Sequence, residues 1–307
     1  MTVSMKLLAG AAFAAAFALA APLRAEPVTI THSKGELTLE DTPEKVLILD
    51  INTLDIADAM GFEPAGVVGT NLPPYLAKFA DATKYPAIGT LFEPDYETIA
   101  AMDADLMISG GRSAKAWPEL SALMPTIDLT LGAEHVPSIR RNITELGKVF
   151  GMTDKAAGMV AAIDAKLADV QSKTSAHDTA LVLVVNGAKL GAYGPKSRVG
   201  WIHTELGFQP LEENIDDRFH GGDVISFEYI LEKNPKWIFV IDRDAGVGNA
   251  GAGAMSTLDN AIMAQTDAVR NGRMIMLDPA SAYVTSGGYT AIMTLLDQIG
   301  TAVAEKG

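Results

Sequence analysis

The chain has 307 residues, of which 48% are hydrophobic and 20% charged, a composition typical of globular proteins that excludes disordered, collagen-like and coiled-coil classes. Its 24 Lys and Arg residues against 38 Asp and Glu residues leave a net charge of −14, the wrong sign for a nucleic-acid or anionic-membrane binder. Cysteine is absent, which excludes disulfides, thiolate metal sites, catalytic thiols and a lipid-modified N-terminal cysteine.

The N-terminal segment has the pattern of a secretory signal peptide. Lys6 precedes an uncharged run of 15 residues, 7–21, and a small residue follows at Ala25. The run is shorter than the roughly 20 residues of a membrane-spanning helix. Cleavage after Ala25 would remove Lys6 and Arg24 but no acid, changing the net charge from −14 to −16. We therefore expect a periplasmic protein without a lipid anchor.

Two stretches of alternating strand and helix patterns follow, as expected for βαβ units with parallel sheets. The first contains strand patterns at 45–50, 65–69, 104–109 and 126–129, with helix patterns at 53–60 and 95–102. The second contains strand patterns at 180–186, 237–242 and 273–277, with helix patterns at 199–206 and 226–233. This arrangement predicts an α/β protein with two Rossmann-like lobes.

Between these stretches, residues 153–173 have helical periodicity, with Thr153 and Asp154 available as N-caps. A single long α-helix joining the lobes would resist large hinge motions. The predicted organisation is a signal peptide (1–25), an N-terminal lobe (26–152), an interlobe helix (153–174) and a C-terminal lobe (175–307).

The two halves repeat one another. Gly61-Phe62-Glu63-Pro64 recurs as Gly207-Phe208-Gln209-Pro210, and Glu97 precedes Arg112 by the same 15 residues that separate Glu228 from Arg243. In each half the Glu begins a helix, and the Arg follows the next strand. Because ligands of open α/β sheets bind beyond the carboxyl ends of the strands, both arginines are predicted to face a cleft between the lobes.

Three candidate groups would make this cleft specific for an anion. Arg112 and Arg243 are joined by Arg198, which lies in a Gly/Pro-containing loop on the same side of the second lobe. Desolvated guanidinium groups bind anions strongly, whereas solvated arginines in surface ion pairs would carry no function. For Glu97 and Glu228, a structural interpretation is also open, namely that they are first-turn acids that complement the helix dipole.

Two further side chains could bind a hard cation. His220 precedes Gly221-Gly222, and Tyr283 follows the last predicted strand. An imidazole and a phenol are suitable ligands for ferric iron, although a structural histidine and a packing tyrosine are the simpler interpretations.

The motif Gly246-x-Gly248-x-x-Gly251 has the letters of a dinucleotide fingerprint, but it begins beyond the strand end and no acidic residue follows at the required distance. We interpret it as a flexible loop. A secreted α/β enzyme that binds a nucleotide there remains an alternative.

The chain resembles the periplasmic substrate-binding proteins of iron–siderophore ABC importers over residues 27–307, and within that family the branch that binds ferric catecholates. The segments that carry the resemblance are 89–95 (GTLFEPD), 109–112 (SGGR), 185–190 (VNGAKL), 192–198 (AYGPKSR) and 225–230 (ISFEYI). Residues 221–224 and 284–288 depart from the pattern.

The resemblance implies specific roles. Arg112, Arg198 and Arg243 would bind catecholate oxygens, His220 and Tyr283 would complete the iron coordination of a four-donor siderophore, and Glu97 and Glu228 would dock on the inner-membrane permease. We therefore expect a monomeric, non-catalytic protein that has no intrinsic cofactor, carries a ferric siderophore and does not bind nucleic acid. The same fold binding haem or another iron chelate is the alternative.

Overall fold

The computed structural model of the chain describes residues 27–215, 222–249 and 253–307. The predicted signal peptide therefore lies outside the described residues. No helix within the described ranges is long and apolar enough to cross a membrane.

The first lobe is built on a parallel sheet with strand order β4-β3-β5-β6, and an antiparallel hairpin, β1-β2, precedes it. Its elements are β1 (Val28–His32), β2 (Gly35–Leu39), β3 (Val46–Ile48), α1 (Ile51–Met60), β4 (Gly66–Val67), α2 (Tyr96–Ala101), β5 (Leu106–Ser109), α3 (Trp117–Leu123), β6 (Thr126–Asp128) and α4 (His135–Val149).

The second lobe follows a long helix. The elements from that helix onward are α5 (Thr153–Lys173), β7 (Thr179–Asn186), β8 (Lys189–Tyr193), α6 (Trp201–Thr204), β9 (Gln209–Pro210), β10 (Asp223–Ile225), α7 (Phe227–Lys233), β11 (Trp237–Asp242), α8 (Arg243–Gly246), α9 (Gly253–Leu258), α10 (Asp267–Arg270), β12 (Met274–Met276), α11 (Pro279–Tyr283) and α12 (Tyr289–Lys306).

The second sheet is mixed, which corrects the expectation of purely parallel sheets. In the order β10-β8-β7-β11-β12, strands β7, β11 and β12 are parallel, whereas β8 runs antiparallel to both of its neighbours, β7 and β10. The reason is local: only Gly187 and Ala188 separate β7 from β8, and Gly187 has the positive φ of +57° that such a tight hairpin turn requires.

The helix α5 packs its apolar stripe, which includes Met159, Ile163 and Leu167, against the core and contacts α4 and α12. The predicted capping role of Thr153 and Asp154 is wrong. The N-cap is Met152, which makes no side-chain capping bond, and Thr153 and Asp154 already lie in the first helical turn. Asp154 there complements the positive end of the helix dipole.

The C-terminal helix α12 packs against the interlobe helix α5 and returns to the first lobe, where it contacts α1. The carboxylate of Asp55, buried on α1, accepts hydrogen bonds from the backbone N–H groups of Thr290 (2.7 Å) and Ala291 (3.1 Å). It thus supplies a cap to the N-terminus of α12 from a distant part of the chain. A Cβ on Gly288 would collide with this carboxylate, so glycine is required there.

The buried Asp55 makes a testable contribution to stability. Desolvation raises its pKa from 3.8 to about 6, although Thr290, Tyr75 and Ala291 donate hydrogen bonds to it. Because the folded-state pKa lies above the unfolded one, the folded state binds the proton more tightly between these values. The associated stability is complete below about pH 4 and is lost as pH rises through about 6, amounting to roughly 3 kcal/mol.

We therefore expect Asp55→Asn to remove this part of the pH dependence of the unfolding free energy. At pH 7 two effects oppose each other: the neutral amide removes the desolvation cost of about 3 kcal/mol, whereas the loss of one acceptor oxygen costs about 1–3 kcal/mol. The unfolding free energy should therefore change by less than about 2 kcal/mol. Urea unfolding between pH 4.5 and 8 measures both effects. Asp297→Asn, an exposed acid on α12, is the control. Equal pH slopes for wild type and Asp55→Asn would contradict the assignment.

Candidate functional site

Two of the three predicted arginines follow the carboxyl end of a strand, and the third lies in a loop. Arg112 lies in the 3-10 turn after β5, Arg198 lies between β8 and α6, and Arg243 begins α8 directly after β11. The repeat is thus preserved in the structure, since each arginine of the matched pair follows a buried central strand. All three side chains are half-buried.

The structure brings these arginines together on a single residue, Tyr283. Its backbone carbonyl accepts hydrogen bonds from Nη2 of Arg112 and Nη1 of Arg198, both at 3.1 Å. Nη1 of Arg112 donates to the next carbonyl, that of Val284, at 3.0 Å. Since α11 ends at Tyr283, these carbonyls are the partially negative end of a helix, which attracts the two guanidinium groups.

The side chain of Tyr283 contacts the third arginine. Nε of Arg243 donates a hydrogen bond to the phenol oxygen at 3.1 Å. The guanidinium carbon atoms of Arg198 and Arg243 lie 4.9 Å and 5.6 Å from the centre of the ring, within the range of cation–π attraction. Tyr283 is only 6% exposed, so it acts as a fixed support between these two arginines.

Gly246 allows Arg243 to lie close to Tyr283. A Cβ at Gly246 would lie 2.7 Å from the carbonyl oxygen of Pro279 and 3.2 Å from Cβ of Tyr283. Helices α8 and α11 therefore pack closely, which holds Arg243 beside Tyr283. This packing role replaces the flexible-loop interpretation for Gly246. Residues 250–252 lie outside the described ranges.

The electrostatics of the site favour an incoming anion. Burial and the neighbouring charge of Arg198 lower the pKa of Arg112, so the environment disfavours its protonated form. The carboxyl group of Asp50 lies beneath the backbone of Gly110 and Gly111, and its charge raises the pKa of Arg112. Burial in turn raises the pKa of Asp50 itself. An anion bound near Arg112 and Arg198 would relieve their mutual repulsion.

A cavity of about 730 Å³ opens between the lobes and is lined by Arg112 and Arg198. The first lobe contributes Arg112 and Lys115 to its wall and the second contributes Lys196 and Arg198; Glu93 adds a carboxylate. Arg243 and Tyr283 lie outside the lining of this cavity, but Tyr283 contacts Arg112 and Arg198, which line it. Within the described residues, positive charge therefore predominates at this cavity, in a protein whose net charge is −14.

His135 is a cavity-lining residue that the sequence analysis did not select. Its Nε2 donates to the carbonyl oxygen of Ser286 at 3.1 Å, and burial lowers its pKa to about 4, so the ring is neutral at pH 7. His135 begins α4 a few residues after β6. The rule that selected Arg112, position after a strand end, could therefore have selected His135.

The remaining predicted site residues lie apart from the cavity or outside the described residues. Glu97 and Glu228 are exposed in the first turns of α2 and α7, which Asp95 and Ser226 cap through hydrogen bonds from Thr98 N (3.0 Å) and Tyr229 N (3.2 Å). Hydrogen bonds from its own backbone and from Ser226 lower the pKa of Glu228. His220 lies within 216–221, outside the described residues. Within the described ranges, no group of three or more His, Asp or Glu side chains is arranged to hold a metal ion.

Comparisons with known proteins agree with this architecture. Residues 46–281 match the model of a family described as periplasmic binding protein. The petrobactin-binding protein YclQ of Bacillus subtilis is 35% identical over 280 residues, covering 89% of this chain and 87% of that protein. The ferric-anguibactin-binding protein FatB of Vibrio anguillarum is 31% identical over 279 residues, covering 89% and 86%. The solved structure of the periplasmic catecholate-siderophore binding protein VctP from Vibrio cholerae superimposes with a TM-score of 0.84 at 33% identity, covering 90% of this chain and 100% of that one.

Proposed function

Because the chain belongs to the periplasmic binding protein family, whose members bind substrates and are not enzymes, we propose that it captures an anionic ferric siderophore of the catecholate type and delivers it to an inner-membrane ABC permease. The observation that carries the proposal is the convergence of Arg112, Arg198 and Arg243 on Tyr283 beside the interlobe cavity. The relatives named above bind petrobactin, ferric anguibactin and catecholate siderophores, which supports the same ligand class here.

The charge of such a ligand suits the site. Three catecholates bring six formal negative charges and ferric iron returns three, so the complex carries three net negative charges. Three guanidinium groups can offset them in a partly desolvated cleft, where a charge-assisted hydrogen bond contributes about 1.5–3 kcal/mol. Because Tyr283 and the helix end hold the arginines before the ligand arrives, little side-chain entropy is lost on binding.

A fluorescence-quenching titration tests the proposal. Trp117, Trp201 and Trp237 serve as reporters, with ferric tris-catecholate, ferric bis-catecholate, ferric hydroxamate and hemin as parallel ligands. We expect sub-micromolar affinity for the catecholates. A preference for hemin would make haem the ligand instead of a catecholate siderophore. Failure of all four ligands to bind would overturn the proposed function.

A four-donor siderophore leaves two coordination positions of the ferric iron open, and in this proposal His220 and Tyr283 fill them. The contact from Arg243 Nε to the Tyr283 oxygen would become a charge-assisted hydrogen bond to a phenolate. We expect a charge-transfer band with a ferric bis-catecholate that differs from that of the free complex, and its loss in His220→Ala and Tyr283→Phe.

Affinity for the four-donor complex should fall about 10-fold or more in these two variants, while affinity for a six-donor complex should change little. Visible absorption and parallel titrations measure both effects. His177→Ala removes an exposed histidine and is the control. An unchanged spectrum and affinity would remove both residues from the coordination sphere without affecting the role of the arginines.

A further inference from the structure

Phe92 is a large apolar side chain that is 65% exposed and lies on the wall of the interlobe cavity. Scattered exposed apolar residues are common and need no functional explanation. Leu123 (48%) and Tyr96 (40%) are exposed in the same lobe but do not line the cavity. Phe92 combines the exposure with a position beside the cationic groups.

The turn that carries Phe92 is held rigidly. Thr90 Oγ1 accepts hydrogen bonds from the backbone N–H groups of Phe92 (3.2 Å) and Glu93 (3.0 Å), and Thr90 N donates to Glu93 O at 2.9 Å. Leu91 is buried and anchors the turn from beneath. Gly89 adopts a φ of +137°, and a Cβ there would collide with the carbonyl oxygen of Glu93.

The order of this turn affects the free energy of ligand binding. Because the backbone of this turn is already ordered, no backbone entropy is lost there when a ligand covers the ring, and more of the gain from burying its apolar surface is retained. Cationic groups alone would accept any anionic chelate of suitable size. A phenyl ring on the wall of the same cavity adds a preference for a ligand with its own aromatic face.

We propose that Phe92 is a specificity-determining residue, an inference that rests on the proposed function. Its ring packs against an aryl ring of the anionic ferric chelate, while Arg112 and Arg198 offset the charge. The site thereby distinguishes aryl-bearing chelates, such as catecholates, from ferric chelates built only of aliphatic carboxylates.

The test compares two probes on the full-length mature protein, namely the ferric complex of a synthetic tripodal tris-catecholamide and ferric citrate. We expect Phe92→Ala to weaken binding of the catecholamide roughly 10-fold, the scale of losing one aromatic stacking contact, and to leave ferric citrate unchanged. Phe92→Tyr, which keeps the ring, should stay within about 2-fold of wild type. Leu123→Ala is the matched control for loss of an exposed apolar side chain.

The outcomes separate this inference from the proposed function. A wild-type protein that binds neither probe would refute the proposed function. A wild-type protein that binds the catecholamide, with the same affinity ratio between the probes in Phe92→Ala, would refute the specificity role alone. An equal loss for both probes would also refute it, because the contribution would then not depend on an aryl ring.

Discussion

Replacing Arg112 and Arg198 together by glutamine should lower the affinity for a six-donor ferric tris-catecholate by about 100-fold or more. Each guanidinium group is half-buried at the cavity wall and would lose a charge-assisted bond of about 1.5–3 kcal/mol to the anionic complex. Both side chains donate to the same carbonyl and would act on the same ligand, so their contributions are coupled, and the double variant measures the two losses together.

Isothermal titration with the purified variant measures this loss, and thermal unfolding verifies that the variant is folded. The single variant Arg112→Lys keeps the charge but not the two-pronged geometry, and we expect it to lose about 10-fold. Arg140→Gln, an arginine on α4 paired with Asp164, is the matched control and should leave affinity unchanged. Wild-type affinity in the folded double variant would remove the arginines from the binding site.

Reversing the charges of Glu97 and Glu228 should strongly reduce ligand delivery without affecting ligand binding. Both acids are exposed in the first turn of a capped helix, one on each lobe, and in our proposal they dock on cationic residues of the permease. A reversed charge would turn attraction into repulsion at both docking points, so we expect uptake to fall by 10-fold or more.

Uptake into proteoliposomes that contain the cognate permease measures this effect, alongside a ligand titration in solution. Glu119→Arg reverses a single exposed first-turn acid on α3 and is the control for a charge reversal at a helix start outside the two docking points. The Glu97→Arg/Glu228→Arg variant should retain wild-type affinity for the ferric complex. If that variant supports uptake at the wild-type rate, the two glutamates have no docking role.

Sequence reasoning located the central elements of the fold with small errors. Strand β11 (Trp237–Asp242) has the predicted bounds, α2 is one residue shorter than predicted at each end, and α7 begins one residue later than predicted. The Gly61 and Gly207 repeat is visible as positive φ values of 72° and 82° after α1 and α6. These features depend on short patterns of apolar residues, caps and glycine, which a sequence displays directly.

Reasoning from the sequence alone was wrong or silent where distant segments meet. The pairing of β10 with β8, in which Asp223 lies opposite Ala192, was not expected, and the return of α12 to α1 was not anticipated. The bonds that anchor this return join residues 235 and 236 positions apart, from Asp55 to Thr290 and Ala291. No periodicity or spacing reports such a contact.

The amino-acid sequence by itself determined the α/β class, the repeated arrangement of the lobes and the three arginines beyond strand ends, because hydrophobic periodicity and strand-end position are local properties. Only the tertiary structure decided that these arginines share Tyr283, that His135 and Phe92 line the same cavity, and that Asp55 caps α12. Arg112 and Arg198 meet the carbonyl of Tyr283 across 171 and 85 residues of chain. Such contacts follow from the packing of whole elements against one another, which fixes side-chain positions that local sequence leaves open.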